Sequence, residues 1–122
     1  GFLLNIHEGP HGIGVGARRY PLHSGMYLTI EPGIYREGMW GIRCENAVYV
    51  EPYGESEYGN FLCFKAFTFL PIDPAPLLVD QLDDSEIAWL NQYNQSVRDT
   101  LLPLLSEGAA AWVESRTKPI EK

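Results

Sequence analysis

The sequence predicts an α+β chain: an antiparallel sheet followed by helices. Three observations carry this expectation. Eleven of the twelve glycines fall before residue 73, among most of the aromatic residues and several short apolar runs of strand length. From residue 73 onward the chain is rich in Leu and Ala, with apolar residues at helical spacing. Between the two textures, Leu70-Pro71-Ile72-Asp73-Pro74-Ala75-Pro76 places three prolines in six residues, which reads as a stiff extended connector. The chain therefore divides into residues 1–72 and 73–122. Its 122 residues suffice for one ordinary domain, or for a small domain with an appendage.

The elements follow in order. Strands are expected at Phe2–His7, Met26–Glu31, Gly41–Val50 and Leu62–Leu70. The loop between the first two is too glycine-rich for regular structure. Its glycines do not follow a strand and open a helix, so it is not expected to cradle phosphate. Pro32-Gly33 and Glu37-Gly38 are turn signals, and another turn is expected around Pro52–Gly59. Phe61, Phe64, Phe67 and Phe69 fall on both faces of the last run, which predicts a buried strand. In the second part, Asp83-Asp84-Ser85-Glu86 fits a capping box, with Asp83 accepting from the first turn and Glu86 reaching back. Ile87, Leu90, Val97, Leu101 and Leu104 then form one apolar stripe. Pro103 should kink this helix or end its regular part. A shorter helix is expected over Ala109–Ser115, with Trp89 and Trp112 anchoring the pair.

Composition narrows the functional classes. With 45% hydrophobic and 20% charged residues the chain is globular in character. Nine Lys and Arg against sixteen Asp and Glu leave a net charge of −7. No basic cluster exceeds Arg18-Arg19, so a nucleic-acid partner is not expected. Acidity suits metal cations, basic partners or solubility alike. No apolar run approaches the roughly 18 residues of a membrane span, and no basic-then-apolar leader is visible. Cys44 and Cys63 match no zinc spacing. One bridge is open to them, but two buried, reduced thiols in a cytoplasmic protein are the expectation. The sequence begins at Gly1 and its first Met is Met26, so it reads as a piece of a longer protein; a truncated reading frame would look the same.

Strand alternation supplies the candidate chemistry. Over Gly41–Val50, Arg43, Glu45, Ala47 and Tyr49 share one face, and in the preceding strand Tyr27, Thr29 and Glu31 share one face. If the two strands pair antiparallel, Glu31 and Glu45 converge. Two close carboxylates repel unless a cation or a proton lies between them. Hard or borderline divalent metals suit such oxygen ligands. His7, at the mouth of the glycine loop, could add nitrogen or move protons. The plainer alternative is that both glutamates are solvated strand residues, with Arg43 paired to one of them.

The wording of three ordered segments bears on that choice. Asn5-Ile6-His7-Glu8-Gly9-Pro10, Gly25-Met26-Tyr27-Leu28-Thr29-Ile30-Glu31-Pro32-Gly33-Ile34-Tyr35 and Gly41-Ile42-Arg43-Cys44-Glu45-Asn46 closely resemble the pita-bread metallopeptidases. Within these the likeness is to the aminopeptidase P (Xaa-Pro aminopeptidase) group. Trp89-Leu90-Asn91 with Tyr93 resembles the tail of its three-domain cytosolic members. The resemblance spans nearly the whole chain. It implies that residues 1–72 are the C-terminal half of a pita-bread catalytic domain, with its antiparallel sheet. Residues 73–122 would then be a helical C-terminal extension, which in relatives helps form a homodimer. By the same resemblance Glu31 is a metal ligand and Glu45 bridges two metals, while His7 contacts substrate and aids proton transfer. Tyr35 and Arg43 would orient a ligating Asp by hydrogen bonding. The implied cofactor is a pair of divalent ions, usually manganese. The implied reaction is hydrolysis of the bond between an N-terminal residue and a following proline, through a metal-bridging hydroxide.

The family site takes five ligands, of which the last two are represented here. The segment alone is therefore expected to be inactive and to expose apolar sheet surface. Lys65-Ala66 and Asn94 depart from the family wording, in which Glu-Pro and His are usual, and read as tolerated drift. His11 and His23 are expected to be exposed loop residues, Trp40 a packing residue at the sheet edge and Cys44 a core residue. Two rival readings remain at this point: a prolidase-like dipeptidase, and a metal-free pita-bread domain that binds peptides or proteins.

Overall fold

The structure, a computed structural model, describes residues 3, 7–17 and 19–122. It forms two compact units, Gly1–Thr68 and Phe69–Lys122.

The first unit is built of antiparallel strands. They are β1 (Tyr27–Ile30), β2 (Gly33–Arg36), β3 (Trp40–Arg43), β4 (Asn46–Ser56) and β5 (Gly59–Ala66). β2 and β3 form a two-stranded hairpin, and the other three form a sheet in the order β1-β4-β5. The Glu37-Gly38 signal is the hairpin turn, with Gly38 at φ 68° where a side chain would be strained. β4 is the central strand, and its Val48 and Val50 are buried. Val48 lies opposite Leu28 on β1 and Ala66 on β5, so the apolar residues of all three strands share one face.

Several expectations are corrected here. The single strand expected over Gly41–Val50 is broken at Cys44-Glu45, so its two halves belong to different sheets. The Cys44 N–H donates to the Pro32 carbonyl at 3.1 Å, which closes the hairpin and frees Asn46 to start pairing with β1. β2 lies between two turn signals and was not expected as a strand. The turn expected around Pro52–Gly59 falls at the far end of that range, at Glu57-Tyr58, because β4 continues past Pro52 to Ser56 through a bulge between Pro52 and Gly54, the kind of irregularity that accommodates proline in a strand. β5 is an edge strand rather than a buried one, with Phe61 and Phe64 both exposed. Both cysteines are free; Cys44 is exposed and Cys63 half-buried. The expected strand Phe2–His7 lies outside the described residues except for Leu3 and His7.

The second unit is helical. Asp83 caps α1 (Asp84–Leu101) through the expected box: the Glu86 N–H donates to Asp83 Oδ1 at 2.9 Å, and the Asp83 N–H to Glu86 Oε2 at 2.8 Å. α1 buries Leu90, Tyr93, Asn94 and Val97. Pro103 ends it in a single 3₁₀ turn, Leu102–Leu104, which turns Leu104 out of the expected stripe to become exposed. A second helix, α2 (Glu107–Arg116), buries Val113. Trp89 and Trp112 are half-exposed rather than anchored in the core. Trp89 stacks on Tyr93 at 5.6 Å, and the Arg116 guanidinium lies over Trp112.

Two asparagines of α1 act as backbone clamps. Asn94, which is 1% exposed, accepts from the Ile72 N–H at 3.2 Å and donates to the Ile72 carbonyl at 3.4 Å. Asn91 treats Ile120 in the same way, at 2.8 and 3.0 Å. Tyr93 donates its hydroxyl to the Leu70 carbonyl at 2.8 Å. The polar members of the Trp-Leu-Asn segment thus satisfy backbone groups of the incoming connector and the outgoing tail, which would otherwise be costly to bury. No helix among the described residues is long and apolar enough to cross a membrane.

Candidate metal centre

The centre is assembled where β1, the β2–β3 hairpin and the start of β4 meet. Ile30 lies opposite Asn46 in the β1–β4 ladder. One step further along each strand, Glu31 and Glu45 are brought side by side on the face that also carries Thr29 and Ala47. Glu31 is the more sheltered, with its side chain 24% exposed against 45% for Glu45. Thr29, two residues earlier on the same face, donates its hydroxyl to Glu31 Oε1 at 2.7 Å and so fixes that carboxylate.

Arg43 lies between the two glutamates. Its Nη1 is 3.4 Å from Glu31 Oε2 and 4.0 Å from Glu45 Oε2. His7 Nε2 is 3.7 Å from the other oxygen of Glu31. Arg43 is itself oriented: its Nε donates to the Tyr35 hydroxyl oxygen at 2.7 Å, and its guanidinium lies over the Tyr35 ring. This hydrogen bond, with a lesser contribution from the charges of Glu31 and Glu45, holds the guanidinium above its ordinary pKa.

Tyr35 owes its position to two glycines. A Cβ at Gly33 would fall 2.5 Å from the Tyr35 hydroxyl, and one at Gly41 would fall 2.7 Å from its ring. Tyr35 pairs with Gly41 across the hairpin, and Gly33 pairs with Arg43. The phenol therefore lies flat over both glycines and delivers its oxygen to Arg43. Side chains at either position would push the ring away. This cradle accounts physically for the spacing of Gly33, Tyr35, Gly41 and Arg43.

All five candidate residues, His7, Glu31, Tyr35, Arg43 and Glu45, are thus joined in one chain of contacts. Thr29 and the glycine pair were missed from sequence, although Thr29 shares its strand face with Glu31. Carboxylate oxygens are donors that hard or borderline cations take; in this structure both carboxylates face the Arg43 guanidinium, Glu31 more closely than Glu45. Among the described residues, no group of three or more His, Cys, Asp or Glu side chains gathers to hold a metal ion.

Further along the same face, Lys65 on β5 lies opposite Tyr49 on β4 and is 3.9 Å from Glu51. A hydrogen bond to Tyr49, then the charge of Glu51, raises the pKa of its ammonium. His23 is exposed as expected, whereas His11 is half-buried and donates from Nε2 to the Tyr27 carbonyl at 2.8 Å.

Comparison with known proteins identifies the family. Residues 1–52 match metallopeptidase family M24, and residues 60–120 match the C-terminal region of peptidase M24. Aminopeptidase P1 of Lotus japonicus is 38% identical over 98% of this chain, and Xaa-Pro aminopeptidase ApepP of Drosophila melanogaster is 38% identical over 97% of it. The chain spans only about a fifth of the length of these relatives, 19% and 21% respectively. The crystal structure of X-prolyl aminopeptidase from Caenorhabditis elegans, a cytosolic enzyme with a di-nuclear active site, superposes on 96% of the chain with a TM-score of 0.82 at 36% identity. It too is matched over only 20% of its length. The chain belongs to metallopeptidase family M24 and carries that family's C-terminal region.

Proposed function

We propose that this chain is the C-terminal part of a dinuclear Xaa-Pro aminopeptidase, acting on peptides with proline at the second position. The observation that carries the reading is the convergence of Glu31 and Glu45 at adjacent register, with His7 and Arg43 against them. The names and structures of the relatives support the substrate class.

In this reading residues 1–72 are half of a pita-bread catalytic domain, and residues 73–122 are its helical extension and the region of homodimer contact. Glu31 and Glu45 hold two divalent ions, manganese by preference, together with three ligands from outside this sequence. When bound, such ions polarise the substrate carbonyl and make water nucleophilic at neutral pH. Glu31 is kept in position by the Thr29 hydroxyl. Arg43, held by Tyr35, limits the repulsion between the two carboxylates while the site is being filled. His7 lies near enough to Glu31 to contact substrate beside the metals and to move a proton there. The segment alone is inactive, and the enzyme works in the cytoplasm.

A substrate panel with the full-length enzyme tests the proposal. Release of the first residue from longer Xaa-Pro peptides, in preference to Xaa-Pro dipeptides, is the expected result. Preference for dipeptides would replace the reading with a prolidase. Binding without hydrolysis in any divalent metal would replace it with a metal-free binding domain.

A further inference from the structure

The glycine loop, which is not expected to cradle phosphate, forms one wall of a cleft of about 1040 Å³. His7, Gly9, His11 and Gly14 line that wall, and residues from Tyr27 to Glu31 line the opposite one. Gly9, Gly12, Gly14 and Gly16 give the loop high backbone freedom. Among the described residues, one hydrogen bond ties residues 8–17 to the sheet: His11 Nε2 to the Tyr27 carbonyl, at 2.8 Å. The acceptor is well placed for this. Val50 N–H donates to the Met26 carbonyl, so by strand alternation the Tyr27 carbonyl faces away from β4, off the open edge of β1. A carbonyl only accepts, so Nε2 carries the hydrogen. The other ring nitrogen, Nδ1, is buried and has no partner. The imidazole is therefore seated in the wall rather than swinging in solvent.

We propose that His11 is a positioning residue for substrate binding: it latches the glycine loop to the edge of β1 and so holds His7 and its cleft wall against Glu31. The proposal rests on the function proposed above. With the latch released, the wall gains freedom that binding must then remove. Substrate affinity falls, while the chemistry of the bound complex is preserved.

The test uses two substitutions in the full-length enzyme that differ by one methylene. The amide nitrogen of His11→Gln reaches about as far as Nε2, whereas that of His11→Asn stops near Nδ1. Hydrolysis of an Xaa-Pro-Pro tripeptide is expected to show KM raised roughly three- to tenfold in His11→Asn. In that variant kcat and metal content should be unchanged, and His11→Gln should lie close to wild type. Unchanged KM in His11→Asn, or an equal defect in both variants, overturns the latch. If the wild-type enzyme hydrolyses no Xaa-Pro substrate, the proposed function fails, and hydrogen exchange of the amides in residues 9–17 decides the latch separately. Faster exchange in His11→Asn than in wild type and His11→Gln supports it, and equal rates in all three overturn it.

Discussion

Residues 69–122 and residues 1–68 treat buried polarity in opposite ways. The helical unit buries Leu90, Tyr93, Val97, Val113 and Ile120, and with them Asn94 and Thr117. Asn94 clamps Ile72, and Thr117 donates its hydroxyl to the Val113 carbonyl at 2.7 Å while its own carbonyl accepts from Arg98. In the sheet unit only Val48 and Val50 are buried hydrophobics among the described residues. Among the described residues, the two buried side-chain polar atoms without a partner, His11 Nδ1 and Asn46 Oδ1, both belong to it. Its hairpin leaves Ile34, Met39 and Ile42 exposed. The helical unit meets its buried polar side chains from its own sequence; the sheet unit carries the residues proposed for the metal site and leaves two buried polar atoms without partners among the described residues. Under the proposed function, the difference places stability and chemistry in separate stretches of this chain, so substitutions should separate them too.

The largest expected effect is on chemistry alone. Glu45→Ala in the full-length enzyme should abolish metal binding and reduce hydrolysis to background, with the helical unit's unfolding transition unmoved. Metal analysis and calorimetry on one preparation check both halves of that statement. His7→Ala should cut kcat by roughly 10²–10⁴-fold with metal retained. Metal loss equal to that of Glu45→Ala would refute the division of roles. In the other unit, Asn94→Leu leaves the Ile72 N–H and carbonyl without partners and should cost about 1–3 kcal/mol of stability. Denaturant titration measures the cost, and metal content should not change. The smallest effect lies at the helix start. Hydrogen bonds from Ser85 and then from the Glu86 N–H lower the pKa of Asp83. A depressed folded pKa stabilises the folded state above the unfolded value, and that contribution is lost as pH falls through the folded one. Asp83→Asn, which still caps, should therefore flatten the acid-induced loss of helical circular dichroism relative to wild type.

What could be read from sequence was local or periodic. The capping box needs four adjacent residues, and the convergence of Glu31 with Glu45 follows from alternation once two strands pair. Gly41–Val50 reads as one strand because nothing in its composition marks Cys44-Glu45 as a break. Only the hydrogen bond to Pro32, twelve residues back, reveals it. Phe61 and Phe64 imply burial by type, but their exposure depends on which strand lies at the sheet edge. Asn94 reads as drift because its partner, Ile72, is 22 residues away. His11 reads as an exposed loop residue for the same reason: its partner is a backbone carbonyl on a distant strand, which no motif marks.

Glu31 and Glu45 are proposed to serve a metal-dependent peptidase. The most direct test is hydrolysis of an Xaa-Pro-Pro peptide by the full-length enzyme after chelation, with and without added manganese. Release of the N-terminal residue that disappears on chelation and returns with manganese is the predicted result. Hydrolysis that survives complete removal of divalent metal, or none with any such metal, would contradict it.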